Sequence, residues 1–341
     1  MVAPGAGSSY FGGMSETPAF LDRERPPTPD IVVARGVVPF HLPDRPVRGR
    51  LVRLGALADA LLTRHPNQPA VTVLVGQALA LAAGLAGALK FRGSFSLQAK
   101  GDGALPLLLA DCTDTGALRG YARAAPERLA AVLAESEAPS AAALLGKGYL
   151  AFTVDQGGER DRHQGIVAIA GDSLADMAMH YFRTSEQLGC WVRLACAPTP
   201  KGWRAGALIL ERIAPDGGTP RDGQPGDSDQ VPADDSKHED SWRTALALAA
   251  TLTDAELLDD SLPPERLLFR LFHSEGVASD RARALSYGCR CSRARLAGIL
   301  DTFPVDDLDH MVVDGDIVMT CEFCNFDFRF PRQDVRGRAQ G

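Results

Sequence analysis

Aromatic side chains are scarce. Phe, Tyr and Trp make up 6% of the 341 residues, so a core must be filled by Ala, Leu and Val within a hydrophobic share of 45%. Positive charge is also in deficit: 36 Lys and Arg stand against 43 Asp and Glu, a net charge of -7. That balance argues against a general nucleic-acid binder and leaves only a local basic patch for such a role. The first residues lack a basic stretch followed by an apolar one, the pattern of a secretory signal. A reducing cytoplasm is therefore the expected location, where grouped cysteines serve metal or redox chemistry rather than fixed disulfides. Catalytic signatures are missing too. Gly146-Lys147-Gly148 lacks the rest of a phosphate-binding loop. No G-x-S-x-G or H-E-x-x-H occurs, the seven histidines are scattered, and no acids pair at catalytic spacing. The sequence reads as that of a non-enzyme.

Long uncharged runs are rare as well. One of them, 67–89, has no charged residue and approaches the length of a membrane span. Its Ala and Gly content, Thr72 and Gln77, and the lack of a strongly basic flank mark a buried helix instead, and no membrane association is expected.

Against these absences stand four grouped cysteines. Cys289 and Cys291 flank one residue, Cys321 and Cys324 flank two, and 29 residues separate the pairs. Two close thiol pairs on short turns can converge on one ion, and zinc favours four soft ligands in a tetrahedron. Spacing alone leaves open a structural zinc clip, a redox switch in which oxidation ejects the metal, and a fortuitous grouping. His310 lies between the pairs, but four thiolates already complete a shell. Arg281, Arg283, Arg290, Arg293 and Arg295 form a basic run that would suit a zinc ribbon on RNA. The preferred reading is that it offsets the negative charge left by four thiolates on a dication. Cys112, Cys190 and Cys196 lie in apolar surroundings and read as small buried hydrophobes.

Residues 1–29, rich in Gly, Ser and Pro, read as a disordered tail. Extended runs at 31–33 and 47–52 open the structured part. Helical spacing predicts helices at 54–62 and 69–89, the second with Pro69 in its first turn. Strands follow at 94–99, 105–109 and 118–123, the first two joined by a turn at Gly101-Asp102-Gly103. A helix at 126–134 precedes strands at 150–154 and 165–169, paired across a charged turn at 157–162. Asp172 is placed as the cap of a helix whose Leu174, Met177, Ala178, Tyr181 and Phe182 form a core-facing stripe. Strands at 190–195 and 205–213 complete an α+β domain over 30–213, with helices packed on a mainly antiparallel sheet.

The segment 214–240 carries four prolines, four glycines and eight acids against Arg221 and Lys237. It reads as a flexible acidic insertion. Helix resumes at Ser241. Thr253-x-x-Glu256 is a capping box, and Pro263-Pro264 opens a helix with Leu267, Leu268, Leu271 and Phe272 on one face. A helical linker, 241–285, thus leads to a cysteine-bearing unit at 286–331 and a tail at 332–341. Residues 278–287 read as the lead into the first thiol pair. Within the unit, short helices at 292–300 and 305–311 and a strand at 317–320 precede the alternating Phe326, Phe328 and Phe330. Its core is thin, and metal binding supplies on the order of 10–16 kcal/mol to the folding of such a unit.

Four stretches resemble the heat shock protein 33 family, redox-regulated holdase chaperones of the bacterial cytosol. They are Leu89-Lys90-Phe91 with Gln98-Ala99-Lys100-Gly101-Asp102-Gly103; Gly146-Lys147-Gly148-Tyr149-Leu150; Gln164-Gly165-Ile166-Val167 through Gly171-Asp172 to Tyr181-Phe182-Arg183-Thr184-Ser185-Glu186-Gln187-Leu188; and Cys289-Arg290-Cys291-Ser292-Arg293 with Cys321-Glu322-Phe323-Cys324. The resemblance spans about 47–330. It implies an α+β N-terminal domain, a helical linker and a C-terminal zinc domain. It further implies one Zn2+ held by Cys289, Cys291, Cys321 and Cys324 in a reduced, inactive form, with disulfides Cys289–Cys291 and Cys321–Cys324 on oxidation. Family members then unfold the linker, often form a homodimer, and hold unfolding client proteins without ATP. The physical route expected here is that the zinc unit covers the linker and, on melting, bares Leu267, Leu268, Leu271 and Phe272 to clients. The N-terminal extension and the 214–240 insertion depart from the family pattern. A zinc-ribbon RNA- or ribosome-binding protein and a thiol oxidoreductase using the C-x-x-C directly stay open beside this reading.

Overall fold

A computed structural model describes residues 28–43, 45–88, 92–156, 163–213 and 233–336, of which 233–238 by backbone alone. The expected tail up to residue 27, the turn at 157–162, the bulk of the acidic segment, the stretch 89–91 and the last five residues lie outside the described residues.

Among the described residues, eleven strands form one sheet. In chain order they are β1 (Val32–Leu42), β2 (Val47–Arg53), β3 (Ser94–Gly101), β4 (Leu107–Thr113), β5 (Ala117–Arg123), β6 (Gly148–Asp155), β7 (His163–Ala168), β8 (Cys190–Thr199), β9 (Gly202–Arg212), β10 (Ala278–Ser279) and β11 (Arg283–Tyr287). Their order in space is β7-β6-β3-β4-β5-β11-β1-β2-β9-β8, with β10 beside β1. Two antiparallel blocks, β7-β6-β3-β4-β5 and β1-β2-β9-β8, are therefore joined by β11. It runs parallel to β5 (Ser286 opposite Ala117) and antiparallel to β1 (Leu285 opposite Val33). The reading of 278–287 as a mere lead-in is corrected here, since both β10 and β11 come from it. Five residues with one deeply buried side chain, Leu285, carry too little alternation to announce a strand. Two ready edges supply what the segment lacks. Gly116, at φ 86°, lets β11 in: a Cβ there would collide with the Ala284 carbonyl.

One face of the sheet carries helices α1 (Ala56–Leu62), α2 (Pro69–Ala86), α3 (Pro126–Glu135), α4 (Ala141–Leu145) and α5 (Leu174–Thr184). α2 is the uncharged run. It starts with Pro at its first turn and is 78% buried as the central element of the main core, against Leu97, Leu108 and Ile209 among others. Small residues let it approach the sheet closely: at Gly76 a side chain would strike the Cys196 sulfur. α5 is capped by Ser173 rather than Asp172. The Ser173 hydroxyl accepts from the Asp176 N–H (3.1 Å) and the Asp176 carboxylate accepts from the Ser173 N–H (3.0 Å), a reciprocal box that Asp172 has no partner to form.

The opposite face is covered by α6 (Ala233–Ala250), α7 (Asp254–Leu258) and α8 (Pro264–Phe272). α6 begins before the expected Ser241, so 233–240 are helical rather than part of a loop. An acidic run suits a helix N-terminus, where the dipole favours negative charge, and composition alone misplaces such a boundary. The capping box at Thr253 and Glu256 forms as the spacing predicts. A second core lies between these helices and Val38, Phe40, Leu42, Leu51, Leu208 and Leu210 of the sheet.

The C-terminal unit has α9 (Arg293–Leu300), α10 (Val305–His310) and a small sheet of β12 (Val312–Val313), β13 (Asp316–Thr320) and β14 (Asp327–Pro331). Its core is Leu300, Leu308, Ile317, Phe328, Phe330 and Val335; Phe326, expected to alternate into it, is 39% exposed.

A buried ion pair ties β2 to β9. Arg50 bonds both oxygens of Glu211 (2.7 and 3.2 Å), and Arg48 adds a third bond (2.7 Å). Burial opposes ionisation of Glu211, but the Arg50 and Arg48 guanidinium groups outweigh it and hold the carboxyl below its ordinary value. Glu211→Gln leaves Arg50 buried without its counter-charge and should cost about 3 kcal/mol near neutrality. The depressed carboxyl contributes fully above the ordinary carboxylate pKa and loses its contribution as pH falls through the folded value. In urea titrations the gap between wild type and Glu211→Gln should therefore close in acid.

Candidate metal centre

β11 delivers the first cysteine pair. Cys289 and Cys291 follow Tyr287 after a single glycine, Gly288, and Ser292 then caps α9, its hydroxyl accepting from the Arg295 N–H (3.2 Å). The second pair forms the turn between β13 and β14. The Cys321 N–H donates to the Phe326 carbonyl (2.9 Å), and the Asn325 N–H donates to the Cys321 carbonyl (2.8 Å). Asn325 sits at φ 55°, a left-handed conformation that Asn tolerates better than most residues.

The four sulfurs lie within 4.8 Å of one another. Cys289 to Cys291 is 3.4 Å, Cys289 to Cys321 is 3.6 Å and Cys291 to Cys324 is 3.4 Å. A tetrahedron with metal–sulfur arms of about 2.3 Å has edges of about 3.8 Å, so the donor set fits one soft divalent ion. All four are free thiols; Cys324 is buried and the other three are half-buried. Hydrogen bonding among the thiols holds Cys289 and Cys321 below the ordinary thiol range, with Cys291 and Cys289 as their respective first partners, and pushes Cys291 and Cys324 above it. An ion bound at the centre takes the sulfurs as thiolates and displaces the protons shared among them.

The predicted cysteines are brought together, and His310, set aside in the sequence because four thiolates complete a shell, stays apart from them. His310 is exposed, with Nδ1 2.6 Å from the Asp306 carbonyl, outside the cluster. Cys112 and Cys196 are buried and Cys190 half-buried, and burial pushes each thiol up to about 12, as expected of inert packing residues. The C-terminal part of the basic run turns inward, while Arg281 and Arg283 are exposed. Arg290 lies 3.7 Å from Asp111, and Arg293 stacks on Phe330 with its guanidinium carbon 4.6 Å from the ring centre.

The residues between the cysteines dock the unit onto the main sheet. Phe323 meets Tyr121 edge-on (5.1 Å between centres), and the Arg119 guanidinium covers its ring at 4.1 Å. Arg119 is itself held by Asp111 (2.7 Å). Glu322 accepts from the Tyr121 hydroxyl (2.6 Å) and pairs with Arg123. Burial works against ionisation of Glu322, but the Tyr121 and Arg123 bonds prevail and hold it below the ordinary carboxylate range. None of these sheet residues was among the sequence candidates. One signal was available: Arg119, Tyr121 and Arg123 alternate along β5 while Leu118 and Ala122 face the core.

This docking corrects the expectation that the cysteine unit covers the linker. Leu267, Leu268, Leu271 and Phe272 are all buried, but in the core between α8 and the sheet, where Phe272 stacks on Phe40 at 5.4 Å. The sheet offers that stripe a broad apolar face, whereas the C-terminal unit's few apolar side chains are taken up by its own core.

An α+β protein with a four-thiol site on a docked C-terminal unit is the class these features define. A family model described as Hsp33 protein matches residues 36–331. A 33 kDa chaperonin of Caulobacter vibrioides (strain NA1000 / CB15N) is 39% identical over 303 residues, covering 87% of this chain and 95% of the relative. One from Pseudomonas fluorescens (strain SBW25) is 35% identical over 300 residues, covering 87% and 90%. The crystal structure of the 33 kDa chaperonin (heat shock protein 33 homolog) of Thermotoga maritima matches with a TM-score of 0.69 at 20% identity, over 88% of this chain and 96% of that one, which speaks to the fold. The chain belongs to the Hsp33 family of chaperones.

Phe323→Ala removes the central docking contact while leaving the sulfurs in place. Aromatic contacts of this kind contribute on the order of 1 kcal/mol beyond area. Amide exchange at 283–288 should speed up by about an order of magnitude while metal content is unchanged.

Proposed function

We propose that this protein is a redox-switched holdase of the cytoplasm, ATP-independent and without catalytic turnover. The observation that carries the reading is the four-sulfur cluster placed just after β11, the strand that ties the far end of the linker to the sheet. The relatives named 33 kDa chaperonin support the chaperone part. The soft donor set supports zinc, held by Cys289, Cys291, Cys321 and Cys324.

In this reading peroxide oxidises each knuckle. Two thiolates lose two electrons and join as a disulfide, Cys289 with Cys291 and Cys321 with Cys324, while each peroxide takes two electrons and two protons and leaves as two waters. The pairing follows the family resemblance. Zinc loses its ligands and departs. A disulfide within each knuckle does not replace the cross-link between knuckles. The turns then reshape, and Arg290, Glu322 and Phe323, the residues between the thiols, leave their partners on β4 and β5. β11 is short, joining β5 through two residue pairs and β1 through three with a register shift, so it follows the unit. α6–α8 lose their distal anchor and uncover the apolar face of β1, β2 and β9 together with Leu267, Leu268, Leu271 and Phe272. Both surfaces become available to unfolding clients, and to a second copy of the chain on dimerisation.

Peroxide under mild warming should release about one zinc per chain and, in parallel, confer suppression of aggregation of an unfolding client. Zinc retained, or lost without gain of holding activity, would mean a structural clip. Phe272→Ala tests the latch from the other side. A buried Phe→Ala change costs roughly 3–5 kcal/mol, here taken from linker docking. The reduced, zinc-loaded variant should hold client without oxidant; a variant as silent as the reduced wild type would sink the linker assignment.

A further inference from the structure

The sheet face under the linker is not uniformly apolar. Alternation puts Arg53, Arg193, Arg204 and Arg212 on the same side of β2, β8 and β9 as Leu51, Ala195, Leu208 and Leu210, and Arg35 and Arg45 stand towards its β1 end. Each meets the linker. Arg45 pairs with Glu275 (2.8 Å), Arg193 with Asp254 (2.8 Å), Arg204 with Asp260 (2.5 Å), Arg212 with Glu239 (2.7 Å), and Arg35 with Glu265. Arg53, buried, donates to the carbonyls of Leu257 (2.9 Å), Glu256 (2.5 Å) and Leu262. In all five of these arginine–carboxylate pairs the cation belongs to the sheet or, for Arg45, to the turn between β1 and β2. The linker stretch 239–275 carries eight carboxylates against three arginines, and Arg243 and Arg270 pair within it, with Glu239 and Glu256.

Building on the holdase reading above, we infer that the uncovered face selects client segments of the linker's own kind: amphipathic stretches with apolar residues at helical spacing and carboxylates flanking them. A face of leucines alone would take any apolar segment. Arginines set among and around the leucines attract carboxylates, and they repel a basic segment that would close over them. The preference runs against the chain's net charge of -7, which by itself repels acidic polypeptides, so it cannot arise from overall charge.

Three labelled peptides share one Leu/Phe helical stripe and carry Glu, Gln or Lys at the flanking positions. Binding is read by fluorescence anisotropy on the full-length protein, reduced and peroxide-oxidised, with client aggregation followed alongside. The oxidised form should bind the Glu peptide about tenfold more tightly than the Lys peptide, and the ratio should shrink at high salt. Arg35→Gln with Arg193→Gln, both at partly exposed positions, should reduce the ratio by about threefold without weakening the Gln peptide. Equal binding of all three peptides by an oxidised protein that holds client overturns the charge selection and leaves the holdase reading standing. Oxidised protein that neither binds peptide nor holds client overturns both. Oxidised dimers that hold client but bind no peptide show the face occupied by a second copy's linker, which also overturns the selection.

Discussion

The structure depends on a single insertion: five residues from beyond the linker fill the gap between two strand blocks. Without β11, β5 and β1 would each present an unpaired edge along the middle of the sheet, a costly exposure of backbone donors and acceptors. With it the sheet is continuous and the linker is tied at both ends. Near its start Glu239 pairs with Arg212 on β9, and its far end enters the sheet through β10 and β11. The cysteine unit follows directly. The metal-ready turns are thus mechanically in series with the strand that closes the sheet, which is a stronger coupling than surface contact between the unit and the linker would provide.

Polar groups between the layers show a division of labour. Arg50 with Glu211 is internal to the sheet and fixes the register of β2 on β9. The arginines facing the linker instead pair across the boundary between the sheet and α6–α8, beside the apolar core that the two share.

Much of this was legible in the sequence, because local patterns encode it. The uncharged run with Pro69 at its head is a buried helix; the strand read at 94–99 is β3; Thr253 and Glu256 cap α7; and the cysteine spacing brings four sulfurs together. The rest was unreadable for physical reasons. β11 is a strand only because two distant edges await it, and Leu285 alone does not announce that. Asp172 and Ser173 are both good caps, and only the reciprocal bond with Asp176 decides between them. The stripe Leu267, Leu268, Leu271 and Phe272 was identified correctly, but a stripe states that it is covered and not by what. The docking residues Arg119, Tyr121 and Arg123 read as an ordinary solvent face until Phe323 is brought against them.

The pairing of β1 with β11 joins residues far apart in sequence. Val33 faces Leu285, so the seam of the sheet has the longest sequence separation of its strand pairs and carries the largest loop-closure entropy among them. During synthesis the N-terminal block is complete long before residues 283–287 appear. A nascent chain therefore carries two open edges until the moment just before Cys289 and Cys291 are made. Closure of the seam waits on late-made residues, and those that complete it are translated almost together with Cys289 and Cys291, the first two thiols of the four-sulfur cluster.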